Sequence, residues 1–151
     1  MYTVGFIDHV ENHSLIVGCN PSFTSLSIEE IDNSGRLTPL DIVTTVYESS
    51  VSSCCFNDLS SMVSVSTADS NVYLWDLHTQ ADVRKYQTNS MVSQLQRYIG
   101  LNNWIGKERS SIVLFDARDS SFSTLNTISD IQSFSLSQDK KYFIEFHYHI
   151  V

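Results

Sequence analysis

A motif that recurs after forty residues most constrains what this chain can fold into. Residues 72–79 read VYLWDLHT and residues 112–119 read IVLFDARD, so Asp76 and Asp116 stand 40 positions apart in matching places. A second pair, VSSCCFND from residue 51 and IQSFSLSQD from residue 131, begins 80 positions apart, which is twice that period. Self-similarity at such a period predicts repeated units that pack one against the next.

The units are predicted to be made of β-strands. Apolar residues fall in runs of four to seven that Ser, Asn, Asp and Gly interrupt, and they lack the three-and-four spacing of a helix. Segments rich in β-branched and aromatic residues, separated by turn-forming sequences, indicate short strands. The predicted strands are 15–19, 25–31, 51–56, 62–66, 71–77, 111–117, 131–136 and 142–151. The fold class is therefore predicted to be all-β, with repeating units of about 40 to 46 residues.

Residues 51–76, VSSCCFNDLSSMVSVSTADSNVYLWD, resemble a WD40 repeat of a β-propeller. They have a first strand, a polar turn, a second strand of small residues, a tight turn with an Asp, and a strand that ends in Trp-Asp. The resemblance implies that Thr67, Asp69 and Trp75 form an internal hydrogen-bond network, and that Asp76 ends the strand. The His that completes this network in the family is absent, because Val46, Tyr47 and Glu48 precede the first strand.

The network also has a physical reason. An indole N–H buried without an acceptor costs about 1–3 kcal/mol, so a Thr hydroxyl linked to an Asp is a suitable neighbour for Trp75. In the next unit a constant spacing of 40 places Arg109 where Asp69 stands and Phe115 where Trp75 stands. We therefore expect the network to be lost in that unit.

Counting units predicts an incomplete β-propeller of four-stranded antiparallel blades, about three and a half in number. The predicted blades are 3–48, 49–88 and 89–128, with a half blade over 129–151. A propeller closes a ring of about four to eight blades, which leaves no long open edge. We expect the missing part to come from further C-terminal blades or from self-association through open edges, and we expect the isolated chain to be poorly soluble.

Charge and cysteine content exclude several classes of partner. Nine Lys and Arg against seventeen Asp and Glu give a net charge of −8, and the cations are scattered along the sequence. Nucleic-acid and anionic membrane surfaces need clustered cations, so neither partner is expected. Three cysteines are too few for a disulfide framework, and no secretion or membrane-spanning signal is visible. The predicted location is cytoplasmic or nuclear, in a reducing compartment.

No pattern in the sequence indicates a cofactor, and none is expected. The five glycines do not form a phosphate-binding loop, and His147 and His149 share a strand face without the further ligands that a zinc site needs. The leading interpretation is a non-catalytic scaffold for protein–protein interaction. From their positions near turns, four residues are predicted to contact a protein partner: Arg36, Tyr47, Tyr98 and Arg118.

Two alternatives stay open. Residues 15–56 resemble the opening blades of the WD-repeat methylesterases of diphthamide biosynthesis, in a Gly-containing strand, a long turn and a second strand followed by Gly-x-Leu and Pro-Leu. That resemblance implies hydrolysis of a methyl ester on elongation factor 2, with no catalytic residue assigned in this sequence. The other alternative is a truncated product without independent function.

Overall fold

In a computed structural model of the chain, the described residues form β-strands and the turns and connections between them. The structure describes residues 3–10, 13–20, 25–31, 34, 36–39, 45–57, 62–76, 78–79, 81–100, 102–127 and 131–147. All of the strand pairings are antiparallel. The prediction of an all-β fold is confirmed.

Three sheets follow one another along the chain. In each sheet, four strands lie side by side in sequence order. The first sheet contains β1 (Thr3–Val10), β2 (His13–Asn20), β3 (Ser25–Ile31) and β4 (Leu37–Pro39), with the short β5 (Thr45–Val46) also paired to β3. The second sheet contains β6 (Val51–Asn57), β7 (Met62–Thr67), β8 (Asn71–Asp76) and β9 (Ala81–Gln87). The third sheet contains β10 (Gln94–Arg97), β11 (Asn103–Lys107), β12 (Ser111–Asp116) and β13 (Phe122–Thr127).

A fourth sheet is described by two strands, β14 (Ile131–Leu136) and β15 (Phe143–His147). The turn between them is held by Ser137 and Asp139: the Ser137 hydroxyl donates to Asp139 Oδ1 at 2.6 Å, and the Lys141 amide donates to the same oxygen at 3.2 Å. Lys140 has a φ of 59°, which is the left-handed conformation that such a turn requires. The two strands therefore form a well-defined hairpin.

The second, third and fourth sheets stack face to face because β8 and β12 are apolar on both faces. On β8, Val72 and Leu74 face the third sheet, whereas Trp75 faces the opposite way, into the cluster beneath Tyr47. On β12, Val113 and Phe115 face the second sheet and Ile112 faces the fourth. Strands that are buried on both faces need apolar residues at successive positions, which is why β8 and β12 carry the clearest repeat in the sequence.

The first strands of the second, third and fourth sheets are joined by hydrogen bonds between residues about 40 positions apart. Ser52 Oγ donates to the Val92 carbonyl at 2.8 Å, and the Leu95 amide donates to Ser53 Oγ at 3.0 Å. At the next junction the Gln94 side chain donates to the Phe134 carbonyl at 2.8 Å and accepts from the Phe134 amide at 3.1 Å. Strand β1 also lies beside β6. Successive sheets therefore meet along their first strands.

Tyr86 joins the second and third sheets farther from those strands. Its ring is 1% exposed and lies 5.1 Å from the Phe115 ring, measured between centroids. The Tyr86 hydroxyl oxygen is 2.6 Å from the Asp116 carbonyl oxygen and 3.0 Å from that of Asp119. Burial raises the pKa of Tyr86 to about 12, so the hydroxyl keeps its proton and acts as a donor to the neighbouring sheet.

The predicted strands agree with the observed ones to within a residue or two where both are described. The last predicted strand, 142–151, corresponds to β15, and residues 148–151 lie outside the described residues. The prediction did not identify β9 as a strand because its sequence, ADVRKYQ, is exposed at every position except Tyr86. It also omitted six other strands, one of which, β10, is short and polar with the sequence QLQR. The six are β1, β4, β5, β10, β11 and β13.

Candidate functional site

The turn between β7 and β8 holds the Thr67–Asp69 pair that the sequence predicts. Thr67 Oγ1 donates to Asp69 Oδ1 at 2.5 Å, and Asn71 Nδ2 donates to Asp69 Oδ2 at 2.7 Å. These hydrogen bonds lower the pKa of Asp69, because they stabilise the carboxylate, and the bond from Thr67 has the largest effect. Ser70 has a φ of 65°, and the Ala68 amide donates to the Ser50 carbonyl at 2.8 Å. The turn is therefore tied to the segment before β6.

Trp75 lies on the strand that follows this turn, in the apolar cluster that also contains Tyr47 and Phe56. It is 1% exposed and pairs across the ladder with Val63. The hydrogen bonds described for the Thr67 and Asp69 side chains run to each other and to Asn71. The part of Trp75 in that network therefore stays a prediction, while its burial makes it a core residue.

Asp76 and Asp116 end their strands in the same way. Asp76 Oδ1 accepts a hydrogen bond from the His78 amide at 2.8 Å, and Asp116 Oδ1 accepts one from the Arg118 amide at 2.9 Å. A carboxylate that binds the amide two residues later forms an Asx turn, which reverses the chain toward the next strand. The repeated Asp thus has the same local role in both sheets.

In the third sheet Glu108 provides the turn carboxylate, which the constant spacing of 40 residues did not reveal. Glu108 is 3% exposed; its Oε2 accepts from Ser111 Oγ at 2.6 Å, and its Oε1 accepts from the Asn89 amide at 2.9 Å and the Ser90 amide at 3.3 Å. Four residues separate the paired Lys107 and Ile112 in the third sheet, whereas five separate the equivalent pair, Ser66 and Val72, in the second sheet. Because the turn is one residue shorter, the carboxylate is that of Glu108, directly after β11. Arg109 does not take the structural place of Asp69.

The four predicted partner-contact residues differ in their exposure. Arg36 is exposed in the turn before β4, Arg118 is exposed after β12, and Tyr98 is half-buried against the cluster between the third and fourth sheets. Arg118 forms an ion pair with Asp116, with 2.6 Å between Nη2 and Oδ2. Tyr47 is 5% exposed, so its predicted place on an exposed surface is wrong.

Tyr47 is instead a core residue at the base of the second sheet. Its ring packs 4.6 Å from that of Tyr73, measured between centroids, and joins the cluster of Val51, Phe56 and Trp75. Burial, with the negative charge of Asp82 as a smaller cause, raises the pKa of the Tyr47 hydroxyl. Tyr47 was predicted to be a loop residue because it lies just before a strand. The strand β6 begins four residues later, and the Tyr47 ring packs in the core beside it.

Cys54 and Cys55 occupy opposite faces of β6. Cys54 is buried and disulfide-bonded, whereas the half-buried Cys55 thiol lies 3.5 Å from the Phe56 carbonyl oxygen. The disulfide differs from the expectation that the cysteines lie in a reducing compartment. Among the residues that the structure describes, no three metal-ligating side chains come together, and no helix is long and apolar enough to cross a bilayer.

Comparisons with known proteins inform the fold and not the activity. No protein family and no curated protein matches the sequence. By contrast, 614 chains of solved structures match the fold. One of them is the Kuenenia stuttgartiensis hydrazine synthase, with a TM-score of 0.68 and 11% sequence identity over 87% of this chain. The chain corresponds to 38% of the length of that protein. At this level of sequence identity, the similarity shows only that the two proteins share an arrangement of sheets.

Proposed function

We propose that this chain is an incomplete β-propeller of the WD40 type that acts as a non-catalytic scaffold for protein partners. The observation that carries the proposal is the repeated junction between sheets. Ser52 with Val92, which lies just before β10, and Gln94 with Phe134 join consecutive sheets at the same spacing of 40 residues. Stacking by a constant step around an axis is the geometry of a propeller.

The polar side chains at the turns support a scaffold over an enzyme. The carboxylates of Asp69, Asp76, Asp116 and Glu108 accept hydrogen bonds from neighbouring turn groups. Asp119 likewise accepts from the amide and the hydroxyl of Ser121. Carboxylates held in this way shape loops, and loops shaped by a rigid framework are the surfaces that bind partners.

The exposed edge of β15 is the surface that we assign to strand addition. In the other three sheets the second strand lies between the first and the third, whereas the described pairing of β15 is with β14 alone. Ile144 on β15 is 62% exposed, and Tyr142, just before the strand, is 70% exposed. An open edge with apolar side chains is a template for another strand. The strand that completes the fourth sheet would come from a partner or from further residues of the same protein.

A synthetic peptide tests this assignment directly. Residues 109–118 contain β12, the third strand of the third sheet, so the peptide supplies a strand of the type that would pair with β15 in the fourth sheet. We expect the peptide, added in trans, to slow hydrogen exchange at the amides of β15. The variant Ile144→Lys should abolish that protection, whereas Leu125→Lys, on the outer strand of the third sheet, should not. Protection elsewhere, or none, would contradict strand addition at β15.

A methyl-ester release assay with elongation factor 2 that carries the methylated diphthamide precursor tests the non-catalytic part of the proposal. A scaffold gives no release above the rate without protein. Turnover that rises in proportion to the concentration of this chain would contradict the scaffold interpretation and favour the methylesterase alternative.

A further inference from the structure

A cleft of about 440 Å³ opens between the third and fourth sheets at one end of the stack. It is lined by Ser90, Met91, Ser93, Lys107, Arg109, Ile131 and Gln132. Two of these residues are cationic, Ser90, Ser93 and Gln132 provide hydrogen-bond donors, and Met91 and Ile131 are apolar. A volume in this range suits a small organic molecule or the end of a peptide.

Lys107 is the unusual member of this set. It is 8% exposed, and its ammonium donates to Ser93 Oγ at 3.2 Å. The ion pairs described for the chain join Arg118 to Asp116 and Lys141 to Asp139, and neither includes Lys107 or Arg109. Both oxygens of the adjacent Glu108 accept from Ser111 and the loop amides. A buried cation normally has an anionic partner, because burial without one is costly.

The second sheet shows what this position looks like without a cation. Ser66 pairs with Val72 as Lys107 pairs with Ile112, so the two residues occupy equivalent places. The Ser66 hydroxyl donates to the Ser53 carbonyl at 3.2 Å and lies 3.0 Å from Ser52 Oγ, which in turn donates to Val92. Neighbouring groups thus satisfy the small side chain of Ser66. The third sheet therefore has a buried lysine at a place where the second sheet has a serine.

We propose that the cleft binds a carboxylate that carries a short apolar group. Lys107 and Arg109 would donate to the carboxylate, with Ser93 holding the Lys107 ammonium in place, while Met91 and Ile131 contact the apolar group. The small number of cations and the net charge of −8 favour one carboxylate over a highly charged polyanion. This binding is separate from strand addition at β15.

Hexanoate is the first probe, because it joins a carboxylate to a short apolar tail. In an NMR titration of the full chain we expect saturable shifts of the Met91 and Ile131 methyl signals. Hexanamide, which has the same tail without the charge, should cause none in the same concentration range. A short peptide that ends in leucine with a free carboxylate distinguishes a peptide terminus from a free acid as the source, and tighter binding of either one supports the site.

The variant Lys107→Ser introduces the residue of the second sheet and should weaken hexanoate binding by roughly tenfold or more. Lys141→Ser removes the same charge outside the cleft and should leave binding unchanged. Arg109→Ser, in an exposed turn, is the second variant if Lys107→Ser unfolds, and it should also weaken binding. Equal binding by the Lys107 or Arg109 variant, no saturable shift, or tighter binding of inorganic phosphate than of hexanoate would overturn the proposal.

Discussion

The second and third sheets have the same strand order and pairing, yet different residues satisfy their turns. In the second sheet the exposed Asp69 binds Thr67 and Asn71 within its own turn. In the third, the buried Glu108 binds Ser111 and also the loop before β10. Both arrangements bring a carboxylate to turn donors that would otherwise lack an acceptor. The repeat therefore preserves this structural requirement, while the residue that meets it changes with the length of the turn.

The cores of the two sheets differ in the same way. Val63 and Val65 of β7 accompany Trp75 in the second sheet, and the equivalent register places of β11 hold Trp104 and Gly106 beside Phe115. A Cβ atom added to Gly106 would lie 2.8 Å from Phe115 Cε2 and 2.9 Å from Val92 Cγ1. The large ring on β11 is thus accompanied by the loss of a side chain two residues later.

The largest effect is expected at Glu108. Glu108→Ala removes the acceptor of three hydrogen bonds at a buried site, and we expect the free energy of unfolding to fall by about 3 kcal/mol. Glu108→Gln keeps an acceptor for the Asn89 amide and should lose about 1 kcal/mol. Denaturant unfolding of the three proteins measures both. A Glu108→Ala variant as stable as the original chain would show that the two turns are not comparable.

A smaller loss is expected at Gly106. Gly106→Ala should cost about 2 kcal/mol, because the new methyl group meets Phe115 and Val92 at less than van der Waals distance. Thermal unfolding measures the loss. Adding Phe115→Leu to the Gly106→Ala variant should restore part of the lost stability, because the smaller side chain leaves space for the methyl group. A similar substitution at a core position that does not contact Gly106 should restore none. Full stability of Gly106→Ala alone would contradict the close approach of β11 and β12 side chains.

Asp69 should matter less than Glu108, because it is exposed. We expect Asp69→Ala to lower the free energy of unfolding by about 1 kcal/mol at neutral pH. The pKa of Asp69 is lowered in the folded protein, so its contribution is complete above the unfolded-state pKa of about 3.9 and is lost as the pH falls through the lower folded value. Unfolding at several pH values measures this. A difference between the two proteins that does not shrink below about pH 4 would contradict the charged hydrogen bonds.

The smallest effect is expected at Arg118. Its side chain is 71% exposed, and the backbone amide that binds Asp116 remains after a substitution by histidine. Arg118→His introduces the residue found at the matching place, His78, and should leave the unfolding midpoint unchanged. A clear loss of thermal stability would mean that the exposed ion pair, and not the Asx turn, holds this connection.

The sequence predicted the all-β class and the central strands because burial on both faces makes β8 and β12 apolar in a repeating way. The sequence could not reveal the shorter turn of the third sheet. Glu108 and Arg109 are adjacent at that turn, and only the pairing register shows that Glu108 provides the carboxylate. The cleft was also hidden, because Lys107 and Ile131 belong to different sheets and meet only through stacking. Tyr47 was misplaced because closeness to a turn does not determine exposure.

The contact between Gln94 and Phe134 offers the most direct test that consecutive sheets stack through their first strands at a constant step. In solution NMR, we expect nuclear Overhauser effects between the Gln94 side-chain amide and the Phe134 backbone amide, and between the Leu95 amide and the Ser53 side chain. If the ladders within each sheet give their effects while both of these contacts are absent, the sheets do not stack in this order.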